Sequence, residues 1–254
     1  MNNGRKDSIL LHINSNSGNS STTHNFTLPF SNLNLSHDSR RHYQIALLSY
    51  SLYYSWYNVS AILGNNKFKY NNGVVDRVIT ITDGQYGVSD LNSFVKAAIS
   101  LLGDDSTKIS FTGNFNSLKV DLVIGTGYTV TLDSTTIGAL LGFTPSATPK
   151  SAGSYSSDVQ PNITNGVDAV QVKTSLVQAS SSLINDVQSS AIYQFVPKSG
   201  PGTNLSGEIS TPIYLPMSNL GTIHSASFQI CDNNGNLLDL NNESVSLVFH
   251  IKEV

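Results

Sequence analysis

Charge is the scarcest thing in this 254-residue sequence: Asp, Glu, Lys and Arg make up 12% of it, about half the usual share. Lys and Arg number 14 against 17 Asp and Glu, a net charge of −3, and there is no basic arm. Arg5-Lys6 and Arg40-Arg41-His42 are the densest basic spots. They read as solvated surface charge and leave phosphate and nucleic-acid binding unsupported. Cysteine is nearly missing too. Cys231 stands alone, which excludes an internal disulfide. It has no His or Asn context and reads as a small buried or edge thiol, not a nucleophile. No apolar run approaches the length of a membrane span, and the polar start Met1-Asn2-Asn3-Gly4 lacks the apolar core of a signal peptide. The expectation is synthesis inside the cell, in a reducing compartment. The sequons Asn25-Phe26-Thr27, Asn58-Val59-Ser60 and Asn242-Glu243-Ser244 are therefore assigned no glycans.

Recognisable chemistry is also missing. Gly125-Thr126-Gly127 has neither the Lys nor the helix of a phosphate loop. No Gly-x-Ser-x-Gly elbow gives any serine a nucleophile context. The 6 histidines include no i, i+4 pair for zinc. Asp232, Asn234, Asn236 and Glu243 mimic positions of a calcium loop, but Leu237 stands where that loop demands Gly, and strands flank it. A plain turn is the expectation. No catalytic, cofactor-binding or metal-ligating residue is assigned, and an enzyme is not expected.

What the chain has instead is Ser, Asn and period-two alternation. Ala226, Phe228 and Ile230 alternate with Ser and Gln, and Val245, Leu247, Phe249 and Ile251 with Ser, His and Lys. Each set lies on one face of a strand. With Asn234-Gly235 supplying a turn, the stretch reads as two half-buried antiparallel strands. Ile9 to Ile13 gives a first strand. Phe26 to Phe30 gives a second, placed near an edge by Pro29. Tyr43 to Trp56 reads as a central strand covered on both faces. It ends in a cluster of Tyr50, Tyr53, Tyr54, Trp56 and Tyr57, read as core or interface packing, with a carbohydrate-binding face as the alternative.

From Val74 the pattern changes. Leu91, Phe94, Val95, Ala98, Ile99 and Leu102 trace one helical stripe, with Ser89 as the expected cap and Gly103 as the stop. Strands are expected at 78–81, 109–112, 118–123 and 128–132, with a helical turn at 134–141. Residues 76–145 thus read as a small α+β insertion, because a lone amphipathic helix needs a sheet to cover it. Residues 145–166 and 198–207 read as loops. Strands resume around Val170–Leu176 and Ile192–Val196. The expected fold is mainly β, a single jelly-roll β-sandwich formed by 1–75 and 146–254.

Four stretches carry a resemblance to a known family. They are Ala46-Leu47-Leu48-Ser49-Tyr50 with Trp56-Tyr57-Asn58-Val59; Ile81-Thr82-Asp83-Gly84-Gln85-Tyr86 leading to Asp90-Leu91-Asn92; Ile137 to Phe143; and Ile230-Cys231-Asp232 through Lys252. In this order and spacing the chain resembles the penton, or minor capsid, proteins of Polinton (Maverick) elements, adinto-like viruses and virophages. The resemblance implies a single jelly roll that forms a homopentamer at icosahedral vertices of the virion. It also implies double-jelly-roll major capsid proteins as neighbours, a vertex spike or internal cement protein as a further partner, and no enzymatic activity. A β-sandwich attachment or lectin-like module that binds glycans is the alternative.

Overall fold

The computed structural model describes residues 8–18, 22–31, 33–35, 42–164, 166–184, 186–218 and 221–254. Arg5, Lys6, Arg40 and Arg41 lie outside them. In chain order the elements are β1 (Ser8–Asn14), β2 (Asn25–Pro29), β3 (Tyr43–Tyr53), β4 (Lys67–Asn71), β5 (Asp76–Thr80) and helix α1 (Val88–Leu101). Then come β6 (Ile109–Asn114), β7 (Lys119–Ile124), β8 (Thr129–Leu132), β9 (Ser146–Lys150), β10 (Gly153–Ser156) and β11 (Val170–Thr174). The series closes with β12 (Leu183–Ile184), β13 (Val187–Gln188), β14 (Ala191–Phe195), β15 (Asn204–Glu208), β16 (Leu215–Pro216), β17 (Ser225–Asp232) and β18 (Ser246–Glu253). The chain divides into two compact units, one reaching Trp56 and resuming at Val167, the other spanning Tyr57–Gly166.

In the first unit one sheet has the order β1-β18-β3-β15 and the other β2-β17-β11-β14, antiparallel throughout. Successive long strands change sheet, except that β11 and β14 are neighbours. The first and last strands pair, and so do the second and second-last. That is the strand order of a jelly roll. The alternating apolar sets supply its core: Leu247, Phe249 and Ile251 from one sheet, Ala226, Phe228 and Ile230 from the other. The rings of Phe228 and Phe249 meet with centroids 5.7 Å apart. Pro29 ends β2, which among the described strands pairs only with β17 and so forms an edge, where a missing N–H is tolerated. The stretch from Ser225 to Glu253 is not a hairpin. Its two strands lie in opposite sheets, because the long connection between them buries Leu238, Leu240 and Val245 in the same core.

The second unit holds a sheet β5-β4-β8-β9 and a sheet β10-β7-β6, with α1 against β6. Leu91, Val95 and Ile99 of α1 are buried with Phe68, Ile109, Phe111, Val120 and Leu122. The helix starts one turn detail away from expectation. Gly87 is the N-cap, and its N–H donates to Asp90 Oδ2 at 2.9 Å. Ser89 sits in the first turn. Gly103, with φ of +80°, ends the helix: its N–H reaches Ser100 O and that of Asp104 reaches Ile99 O, the Schellman pattern.

The insertion is larger than the sequence range 76–145. Lys67–Asn71, read there as part of the jelly roll, pairs with β5 and β8 inside the second unit. Part of 145–166, read as loop, forms β9 and β10, which pair with β8 and β7. Both are exposed edge strands, so backbone pairing makes them and no apolar alternation marks them. The expected helical turn at 134–141 is a set of hydrogen-bonded turns with one α-type bond, Leu141 N to Ile137 O. The loop expected at 198–207 contains the start of β15, which pairs with β3.

Candidate functional site

The aromatic cluster at the end of β3 splits into inward and outward groups. Tyr54 stacks on Trp56 with centroids 4.0 Å apart, and both are buried. Tyr50 stacks on Phe195 at 4.1 Å and lies near Tyr193 at 5.9 Å, two partners that the sequence did not connect with it. Its place across β15 depends on Gly207, its register partner, where an added Cβ would come within 2.8 Å of the Tyr50 hydroxyl. Burial pushes the Tyr50 phenol up, with Tyr193 adding to the effect, and burial does the same to Tyr54. Tyr53 and Tyr57 stay exposed. Tyr54 and Trp56 thus serve the core, while Tyr50, Tyr193 and Phe195 line a groove of about 280 Å³ with Lys198, Asn204 and Glu208.

The carboxylate of Asp232 is taken up by its own turn. Oδ1 accepts from the N–H groups of Asn234 and Asn236, and Oδ2 accepts from the Asn236 amide. Gly235 supplies the positive φ of 88° that the turn needs. These bonds make a plain Asx turn. Cys231 is buried beside it and pairs in register with Gln171. Burial pushes its thiol up, opposed by Lys173 and assisted by Asp232. A thiol held protonated is a poor nucleophile. Gly125 and Gly127 form the turn before β8, where Tyr128 N donates to Gly125 O. Among the described residues no group of His, Cys, Asp and Glu could hold a metal ion. No described helix is long and apolar enough to cross a membrane.

One arrangement was invisible in the sequence. Ser8 Oγ lies 2.8 Å from His250 Nε2, and Tyr214 Oη lies 2.6 Å from Nδ1. Lys252 Nζ stands 3.6 Å above the Tyr214 ring. Ser8 and His250 are 242 residues apart in the chain, and only the pairing of β1 with β18 brings them together. A serine protease site orients its His with a carboxylate and adds oxyanion donors. Here hydroxyls meet both ring nitrogens, so the group ties β1, β18 and the Tyr214 segment together.

Two polar networks brace the second unit. Asn58 is buried; its amide donates to Tyr86 O and Ile163 O at 2.8 Å each and accepts from Tyr86 N at 2.9 Å. The Asp104 carboxylate accepts from Tyr70, Asn72 and Arg77. It is held below the usual carboxylate range, first by the Tyr70 hydroxyl. Burial, with the same carboxylate, pushes the Tyr70 phenol far up.

No family model and no curated protein matches the sequence. Among solved structures, the mavirus penton protein is similar at TM-score 0.49 and 10% identity, covering 98% of this chain and 100% of that one. A likeness of that size leaves the fold to rest on the chain's own strand order.

Proposed function

We propose that this chain is a structural capsid protein: a penton that forms homopentamers at icosahedral vertices and contacts double-jelly-roll major capsid proteins. The observation that carries the reading is the complete jelly-roll order, β1-β18-β3-β15 over β2-β17-β11-β14. It is found in a sequence whose four stretches resemble penton proteins. A closed ring uses heterologous contacts, one face of each subunit meeting a different face of the next. A surface of hydroxyls and amides with only 12% charged residues can be buried at low desolvation cost. A stable contact of this kind covers at least about 1,000 Å².

The protein is a scaffold and not an enzyme. Asp232 is spent on its turn, the Cys231 thiol is held protonated, and the His250 ring meets hydroxyls at both nitrogens. The glycan-binding alternative is less well supported, since two of its five aromatics, Tyr54 and Trp56, are buried against each other. Reconstruction of native particles tests the reading. The expected density is five copies of this chain around each vertex. Another protein at the vertices, or this chain there with a different symmetry, would overturn it.

A further inference from the structure

The second unit contains a cavity that no part of this reading uses. A space of about 680 Å³ opens between the start of α1, the β6–β7 hairpin and the segment from Gln160 to Ile163. Val88, Phe111, Phe115, Leu118 and Ile163 give it apolar walls, and Lys119 is the one charged residue among those that line it. Pockets for small molecules have this size and character, apolar with a few polar groups that fix orientation.

The hairpin tip points to an occupant. Phe115 is 91% exposed and Leu118 55%. Two large apolar side chains thus stand in water at this turn, as Ile62 and Val74 do at theirs, but here they border an apolar cavity. Leu118 also has a φ of +55°. The left-handed region costs an ordinary side chain about 1 kcal/mol, and Gly or Asn avoids much of that. The other described non-glycine residues with positive φ are Asp186, Asn241 and Asn242. Leu118 therefore stands where this chain otherwise places Asp or Asn. Local stability gives no reason for a leucine there. Strain of this kind persists where the side chain has a use.

Charge selects the kind of occupant. No carboxylate lines the cavity, and the nearby Asp121 accepts the Asn114 amide at 2.9 Å. Asp158 also feels the Lys119 charge, as the last and smallest influence on its carboxyl, and Lys119 is not closed off in an ion pair with it; a single cation on an apolar wall complements an anion. We infer that this cavity binds a small apolar molecule carrying one anionic group. Its rings or alkyl chain lie against Val88, Phe115, Leu118 and Ile163, and its anion meets Lys119.

The test uses the intact chain and two fluorescent probes, anilinonaphthalene sulfonate and the uncharged phenyl-naphthylamine. The sulfonate should bind saturably, one molecule per chain. The double variant Phe115→Ser/Leu118→Asn should weaken both probes at least about tenfold, the loss expected from two apolar contacts. Both positions are exposed and Asn suits the backbone at 118, so the variant should keep the circular dichroism of the parent. Lys119→Gln should weaken the sulfonate about two- to fivefold, as for an exposed ion pair, and leave the neutral probe unchanged. Non-saturable binding, or unchanged binding by the double variant, would overturn the inference. So would concentration-dependent self-association in sedimentation that the double variant abolishes, because the tip would then be covered by a second copy. None of these readouts depends on capsid assembly.

Discussion

Asn58 joins three loops through one side chain. Its amide satisfies Tyr86 at two backbone atoms and Ile163 at a third, and a buried polar group left without its partner costs about 1–3 kcal/mol. Asn58→Ala should therefore destabilise the protein by about 2–4 kcal/mol, read as a drop in the urea midpoint. A change within about 0.5 kcal/mol, typical of a surface site, would show that these bonds are replaced by water. The Asp104 network makes a pH-dependent contribution of definite sign. The carboxyl is depressed in the folded state, so its stabilisation is fully present above the ordinary carboxylate range and is lost as pH falls through the folded value. Asp104→Asn should lower the thermal midpoint at neutral pH and flatten its fall below about pH 4. An acid limb as steep as the parent's would assign that limb to other carboxylates. At Cys231 the raised thiol and its burial should make the native chain slow toward a thiol reagent, with rapid labelling only in denaturant.

Among the elements, the turn from Ile137 to Phe143 makes the sharpest demand on its sequence. Gly142 has a φ of +86°, and a Cβ there would come within 2.2 Å of Val159 O, while Val159 N donates back to Gly142 O. Gly142→Ala should cost more than the 1–2 kcal/mol of left-handed strain alone. The measurement is equilibrium unfolding, and a neutral substitution would refute the close approach. The elements that could be read from the sequence are those whose side chains carry a pattern. The stripe from Leu91 to Ile99 marks α1, and the alternations of Phe228 and Phe249 mark β17 and β18. β9, β10 and β15 were missed because they pair through backbone at exposed or edge positions, and Ser, Thr and Gly there have no face to show. β4 was read on the wrong side of a boundary because Phe68 and Tyr70 look alike in either core. The arrangements at the candidate sites were less legible still. Ser8 meets His250, Tyr50 meets Phe195, and the cavity beside Phe115 takes its walls from three separate stretches. Tertiary pairing alone creates those neighbours.

At the scale of the whole molecule, the chain builds two cores that share no residue. Phe26, Ile45, Phe228 and Phe249 belong to one, and Phe68, Leu91, Ile99 and Phe111 to the other. The second unit has its own two sheets and its own helix cover, and domains of about 100 residues commonly fold alone. Two such cores in one chain need not unfold in a single step. The expected behaviour is two transitions in calorimetry, each responding to its own substitution. Leu91→Ala removes a fully buried side chain and should lower one transition by the equivalent of about 2–5 kcal/mol, leaving the other in place. Phe249→Ala should do the reverse, at about 3–5 kcal/mol. The excised segment 57–166 should then show one cooperative transition of its own, sensitive to Leu91→Ala. A single transition in the full chain, moved equally by both substitutions, would mean that the two cores are coupled. An excised segment without cooperative unfolding would mean that the second core needs the jelly roll to form.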